Sequence, residues 1–247
     1  MNANFGLNLS KYYSINFDLP KRSRKKIIFI ILHYTGMKKE SAAIKRLCDP
    51  KSKVSSHYFI KNSGEVLSLV PDLYEAWHAG VSSWQKLKSL NKYSIGIEIN
   101  NPGHDNGYKE FSSKQIFSLT KLIKYLVKKY NNKKQIILCN SDIAPNRKKD
   151  PGEKFPWKKL AKKKLCKWHN LDEKKIEKFR NFKIRDLEEK KFLRNLCDIG
   201  YPKIAGKNTK IKKINLTKAF QRRFRQKLIN GKIDQECLLI SKNLVKY

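Results

Sequence analysis

The chain has 247 residues, with 56 Lys and Arg against 21 Asp and Glu, and a formal net charge of +35. Hydrophobic residues at 40% and aromatics at 11% can fill a packed core, which excludes a disordered polyelectrolyte. Asp186–Tyr247 carries a net +10, in proportion to its length, so the charge is spread along the chain and no specific nucleic-acid partner is expected.

Ile27–Leu32 is an apolar, β-branched run between a charged stretch and Tyr34-Thr35-Gly36, and it predicts a buried central strand. Residues 39–48 have helical spacing. Ser55–Ile60 and Glu65–Val70 flank Lys61-Asn62-Ser63-Gly64, which predicts a hairpin. Tyr93–Ile99 alternates in the strand manner, with Ile95, Ile97 and Ile99 on one face and Glu98 on the other. Ile116, Leu119, Ile123, Leu126 and Val127 recur at helical spacing behind Ser112 or Ser113, either of which can cap a helix to residue 130. Gln135–Leu138 predicts another short strand. The sum is an α/β fold, a mixed central β-sheet flanked by helices, over residues 1–172. The charged residues 173–190 read as a linker, possible in helical form. Residues 191–247 predict a small all-α C-terminal module built on three stripes: Phe192, Leu193, Leu196, Ile199; then Leu216, Phe220, Phe224, Leu228; then Leu238, Leu239, Leu244, Val245. Phe220 and Phe224 are expected in its core.

The five cysteines are odd in number, widely spaced and without a CxxC pair, which is no disulfide framework. No apolar run approaches the ~18 residues that span a bilayer. The first residues lack a charged start, an apolar stretch and a small-residue cleavage site, so a cytoplasmic monomer is expected, with export to the periplasm by another route as the alternative.

Three places could carry chemistry. His33 lies at the C-terminal end of the most apolar strand, the edge at which α/β sheets build sites. Glu98 is a carboxylate within an otherwise apolar strand. It is either the solvated face of an edge strand or a group positioned for proton transfer. Ser141–Trp157 holds three prolines and a glycine after a strand, and Asp150 before Pro151-Gly152 suits a metal ligand or a turn. No HExxH motif or CxxC pair is present.

Six blocks in order then carry a resemblance: Leu32-His-Tyr-Thr-Gly36, Val54-Ser-Ser-His-Tyr58, Ala76-Trp-His-Ala-Gly80, Ser94–Ile99, Asn101-Pro-Gly-His104, and Ser141–Pro145 with Arg147-Lys148 and Asp150–Gly152. Together they resemble the zinc-dependent N-acetylmuramoyl-L-alanine amidases of the AmpD and AmiD type, relatives of the peptidoglycan recognition proteins. Ala219–Arg225 with Gly231 and Asp234 resembles the helical peptidoglycan-binding module that follows this domain in some members. The resemblance implies an enzyme that cleaves the amide between N-acetylmuramic acid and L-alanine of peptidoglycan or muropeptides. It implies zinc held by two His and one Asp, with His33 as the first and Asp150 as the last. Glu98 would then take a proton from zinc-bound water, and Lys148 would stabilise the oxyanion. His78, Asn101 and Arg147 would contribute to substrate binding, and His57 either to that or to packing and polar support.

The sequence departs from the family at the second His. Its place falls in Cys139-Asn140-Ser141-Asp142, on Asn140, whose carboxamide is a poor zinc ligand beside imidazole. Cys139 could substitute only if the backbone rotates, because adjacent strand residues point to opposite faces. Zinc is therefore expected to be weak or lost, and a fold that binds muropeptide without turnover is the alternative function.

Overall fold

The computed structural model describes residues 9–130 and 136–246. They form two units: one takes in the described residues up to Val81 together with Ser89–Asn140, the other Ser82–Lys88 together with the described residues from Ser141 on.

The first unit contains β1 (Leu9–Lys11), β2 (Phe17–Asp18), β3 (Phe29–Tyr34), α1 (Glu40–Cys48), β4 (Tyr58–Ile60), β5 (Val66–Ser68) and β6 (Glu75–Ala76). The excursion β7 (Ser83–Trp84) and β8 (Leu87–Lys88) belongs to the second unit. The first resumes with β9 (Ser94–Ile99), α2 (Ser113–Tyr130) and β10 (Ile136–Cys139). Its main sheet runs β1-β5-β4-β9-β3-β10, all pairs parallel except the β4–β5 hairpin. The mixed sheet with flanking helices is the architecture expected from the sequence. Gln135, included in the expected last strand, lies outside the described residues.

The first long strand begins two residues later than the apolar run suggests. Ile27 N–H closes a turn onto Arg24 O and Ile28 N–H reaches Tyr93 O, so pairing with β9 starts only at Phe29↔Ser94. The ladder then continues to Tyr34↔Ile99 and carries His33 inside the strand. The hairpin forms with shorter arms, closed by Gly64 at φ +88°, where a Cβ would lie 3.0 Å from Lys114 O. Ser112 caps α2 in a reciprocal box: Gln115 N–H donates to Ser112 Oγ, and Ser112 N–H donates to Gln115 Oε1. Leu119, Leu122, Ile123 and Leu126 are buried on this helix, while Ala43 and Leu47 of α1 cluster with Phe59, Leu67 and Leu69.

The second unit continues through α3 (Asn140–Ile143, which opens at the last residue of the first unit), α4 (Trp157–Lys162), α5 (Glu173–Glu177), α6 (Asp186–Ile199), α7 (Thr209–Phe224) and α8 (Gln235–Lys246). Phe192, Leu196, Phe220, Phe224, Leu238 and Leu244 are buried, Leu193, Ile199, Leu228 and Leu239 are half-buried, and Val245, placed in the third stripe, is exposed. α7 ends at Phe224, short of Leu228. Residues 173–190, read above as a linker, are fastened to the end of the chain: Arg180 pairs with Glu236, and Asn181 N–H donates to Asp234. Among the described residues no helix is long and apolar enough to cross a membrane.

Asp72 ties the first unit together from a loop. Its buried carboxylate accepts from Tyr58 Oη at 2.7 Å, Lys129 Nζ at 2.8 Å and Tyr130 Oη at 2.6 Å, joining β4 to the end of α2. Burial alone would raise its pKa, but the Lys129 charge and these three hydrogen bonds hold it below the usual carboxylate value. A depressed carboxylate stabilises the fold above its unfolded pKa and loses that contribution as the pH falls. Urea denaturation at pH 7 should show Asp72→Ala destabilised by about 3 kcal/mol, the scale of a broken buried ion pair. The gap between variant and wild type should narrow below about pH 4.

Candidate active site

Parallel pairing places His33 directly beside Glu98, and residues paired across a ladder project from the same face. β9 lies between β4 and β3, so Glu98 sits on an interior strand and the edge-strand alternative does not hold. The alternation of β9 sends Ser94, Gly96 and Glu98 to this face and Ile95, Ile97 and Ile99 to the other. His33 is only 2% exposed.

Behind His33 lies a chain of hydrogen bonds whose direction can be deduced. Ser94 Oγ–H donates to Leu90 O at 2.6 Å, so Ser94 Oγ accepts from His78 Nε2 at 3.3 Å. His78 then carries its proton on Nε2 and presents a bare Nδ1, which accepts from His33 Nε2–H at 3.0 Å. That fixes the His33 tautomer, with its lone pair on Nδ1. Gly96 makes room for the arrangement, since a Cβ there would stand 2.4 Å from the His78 ring. Burial first, then electrostatic repulsion with His33, His57 and Arg22, holds His78 well below the usual histidine pKa and keeps it neutral. His78 is therefore placed to orient His33. The Ser94-x-Gly96-x-Glu98 alternation was the available signal for that placement.

His57 is likewise held by backbone. It is fully buried, accepts from Gly96 N–H at Nδ1 and donates from Nε2 to Tyr74 O, both at 3.0 Å. Arg22 Nη2 lies 3.0 Å from the same Nε2 and donates to Asp72 O and, through Nη1, to Asn91 O. Burial, reinforced by that guanidinium, pushes His57 down to about 3. Asn101 turns inward as well: its amide donates to Lys109 O and its carbonyl accepts from Gly103 N–H. The loop it shapes is completed by Tyr34 Oη against His104 Nδ1 at 2.9 Å and by Tyr108 stacked on His104.

In the second unit, the loop after α3 carries Lys148 and Asp150. Arg147 and Lys148 N–H both donate to Ala144 O, and Ser141 N–H donates to Asp150 O at 3.0 Å, closing the loop on itself. Asp150 is 6% exposed, Lys148 half-buried and Arg147 exposed.

The donors at the expected metal positions are an imidazole, His33, a carboxylate, Asp150, and a carboxamide, Asn140. Cys139 pairs with Leu32, one residue before His33, and so occupies the opposite face; it does not take the place of the second His. Among the described residues, no three His, Cys, Asp or Glu side chains gather as a metal site. This set does not fit a zinc centre with two His and one Asp.

Comparison with known proteins adds an independent line. Residues 23–153 match the family model described as N-acetylmuramoyl-L-alanine amidase. AmiD of Escherichia coli is 30% identical over 233 residues, which cover 90% of this chain and 83% of AmiD. AmpD of Escherichia coli, a 1,6-anhydro-N-acetylmuramyl-L-alanine amidase, is 38% identical over 106 residues, 42% of this chain and 55% of AmpD. The structure of AmiD with anhydro-N-acetylmuramic acid-L-Ala-D-gamma-Glu-L-Lys superposes with a TM-score of 0.78 at 29% identity, covering 93% of this chain and 92% of the other. AmpDh3 of Pseudomonas aeruginosa in complex with anhydromuramic pentapeptide gives 0.75 at 29% identity, covering 93% and 94%.

Nitrogen-15 chemical shifts of the imidazoles at pH 7.5 should report the Nε2–H form for His33, His57 and His78, and Ser94→Ala should mix the tautomers of His78 and His33. A depressed His57 stabilises the fold above pH 6.5 and loses that contribution as the pH falls towards 3, at about 1.4 kcal/mol per pH unit. Unfolding free energy should therefore drop by about 2 kcal/mol more in wild type than in His57→Gln between pH 7 and pH 5, measured in urea.

Proposed function

The chain belongs to the N-acetylmuramoyl-L-alanine amidase family, and on that premise we propose that it hydrolyses the amide between N-acetylmuramic acid and L-alanine in muropeptides or peptidoglycan. The observation that carries this reading is the His33–Glu98 pair on one sheet face, with His33 oriented through His78 and Ser94. Glu98 accepts a proton from the attacking water and returns it to the departing amine of L-alanine. The Lys148 ammonium meets the negative charge that develops on the scissile carbonyl oxygen.

Asn140 favours a second reading, a protein that binds muropeptide without turning it over. Removing one imidazole from a three-ligand set leaves His33 and Asp150 as strong donors, and zinc affinity falls accordingly. Metal analysis after equilibration with micromolar zinc should give substoichiometric zinc in the native chain, full occupancy in Asn140→His and no change in Cys139→Ser. Full occupancy in the native chain would show that the carboxamide suffices. Digestion of anhydro-muropeptide should release a peptide beginning with L-Ala, and Glu98→Ala should lower that rate at least 100-fold while muropeptide binding persists. Binding with no release by the wild type selects the second reading.

A further inference from the structure

The second half of α7 is buried over most of its surface, with only Lys218 and Arg222 partly exposed. Leu216, Thr217, Ala219, Phe220, Gln221, Arg223 and Phe224 are each shielded from solvent, more than one apolar stripe requires. Part of this surface is the core of the helical module, where Phe220 lies 5.2 Å from Phe192 and 5.3 Å from Phe224. The rest grips residues 142–157, the segment that carries Lys148 and Asp150.

Five contacts make the grip. Arg223, 3% exposed, donates to the fully buried carboxylate of Asp142, which also accepts from Tyr201 Oη at 2.6 Å. The same guanidinium lies 4.5 Å over the ring of Trp157. Gln226, just past the helix end, donates to Glu153 O at 2.5 Å and Phe155 O at 2.7 Å. Asn215 Nδ2, about two turns before Arg223, donates to Asn146 Oδ1 at 3.4 Å. These points lie on both sides of Lys148 and Asp150 in the chain. Ser141 N–H to Asp150 O links the Asp142 helix directly to the residue that follows Lys149.

We propose that the second half of α7 braces the active-site loop, with Arg223 as the positioning residue that fixes Lys148 and Asp150 through Asp142. The helical module then serves catalysis by holding this loop, in addition to any surface it offers to a ligand. Three prolines remove three backbone donors from this loop, and a buried ion pair between groups 81 positions apart constrains it from outside its own sequence. Such a pair is strongly coupled, because removing one partner strands the other charge away from water.

The proposal rests on the roles given to Lys148 and Asp150 under Proposed function, and its test separates the two. Amide hydrogen exchange would be followed in the full chain for wild type, Arg223→Ala, Arg223→Lys, Gln226→Ala and, as a control on the same helix, Lys213→Ala. Ser141, Arg147 and Lys148 amides should exchange at least tenfold faster in Arg223→Ala and several-fold faster in Gln226→Ala, with β3 and β9 amides unchanged. Arg223→Lys should recover most of the protection, and Lys213→Ala should match wild type. On anhydro-muropeptide, the loosened variants should lose kcat about tenfold with KM within twofold, and Arg223→Lys should regain it. Unchanged loop exchange in both Arg223→Ala and Gln226→Ala overturns the brace, as does a loosened loop with undiminished kcat. Global unfolding of Arg223→Ala leaves the milder Gln226→Ala to decide. A wild type without turnover sinks the amidase reading, while the exchange comparison still decides whether α7 holds the loop.

Discussion

The parallel ladder between β3 and β9 governs the candidate site. Its register sets His33 beside Glu98, and with that one alignment the polar face of β9 becomes the floor on which the histidines are arranged. A slip of one residue would turn Glu98 to the apolar face and bring Ile97 or Ile99 beside His33. The apolar residues Ile95, Ile97 and Ile99, all fully buried, oppose that slip, so hydrophobic burial on one face fixes polar geometry on the other. Gly96 completes the design by leaving the volume that His78 occupies.

Behind this floor the polar groups are held by backbone. His78 is anchored through Ser94 to Leu90 O, His57 between Gly96 N–H and Tyr74 O, and Arg22 by carbonyls of Asp72 and Asn91. Three histidines and an arginine in so small a volume would repel one another if the imidazoles were charged. Burial keeps His57 and His78 neutral, and each proton is then assigned to one nitrogen by the carbonyl or hydroxyl it meets. Stability at acid pH is what the arrangement gives up.

Against this ordered set stands Asn140. The fold keeps a carboxamide at that position because the strand before it is fixed by its pairing with β3. Metal affinity is less forgiving, since it depends on the basicity of each donor. Sheet geometry also removes the neighbouring thiol as a replacement: Cys139 follows Leu32 to the opposite face. Fold and metal chemistry are thus separable in this chain, and the family's architecture persists whatever the zinc content.

The sequence by itself determined the mixed α/β fold, because Ile95-x-Ile97-x-Ile99, the Ile27–Leu32 run and the α2 stripe each show a local period that burial enforces. It also marked His33, Glu98, Asn140, Lys148 and Asp150, since those lie in blocks with distinctive neighbours. Only the tertiary structure decided what surrounds them. That His78 is placed to orient His33, that His57 is held by backbone, that Asn101 turns inward, and that residues 173–190 are fastened to Asp234 and Glu236 all depend on partners far away in the chain. The +35 charge could not reveal that Arg223 is spent on a buried Asp142, because composition counts charges without showing which are desolvated and paired. Local periodicity is written in adjacent residues, whereas tautomers, buried ion pairs and loop braces are set by which distant groups the fold brings within hydrogen-bond reach.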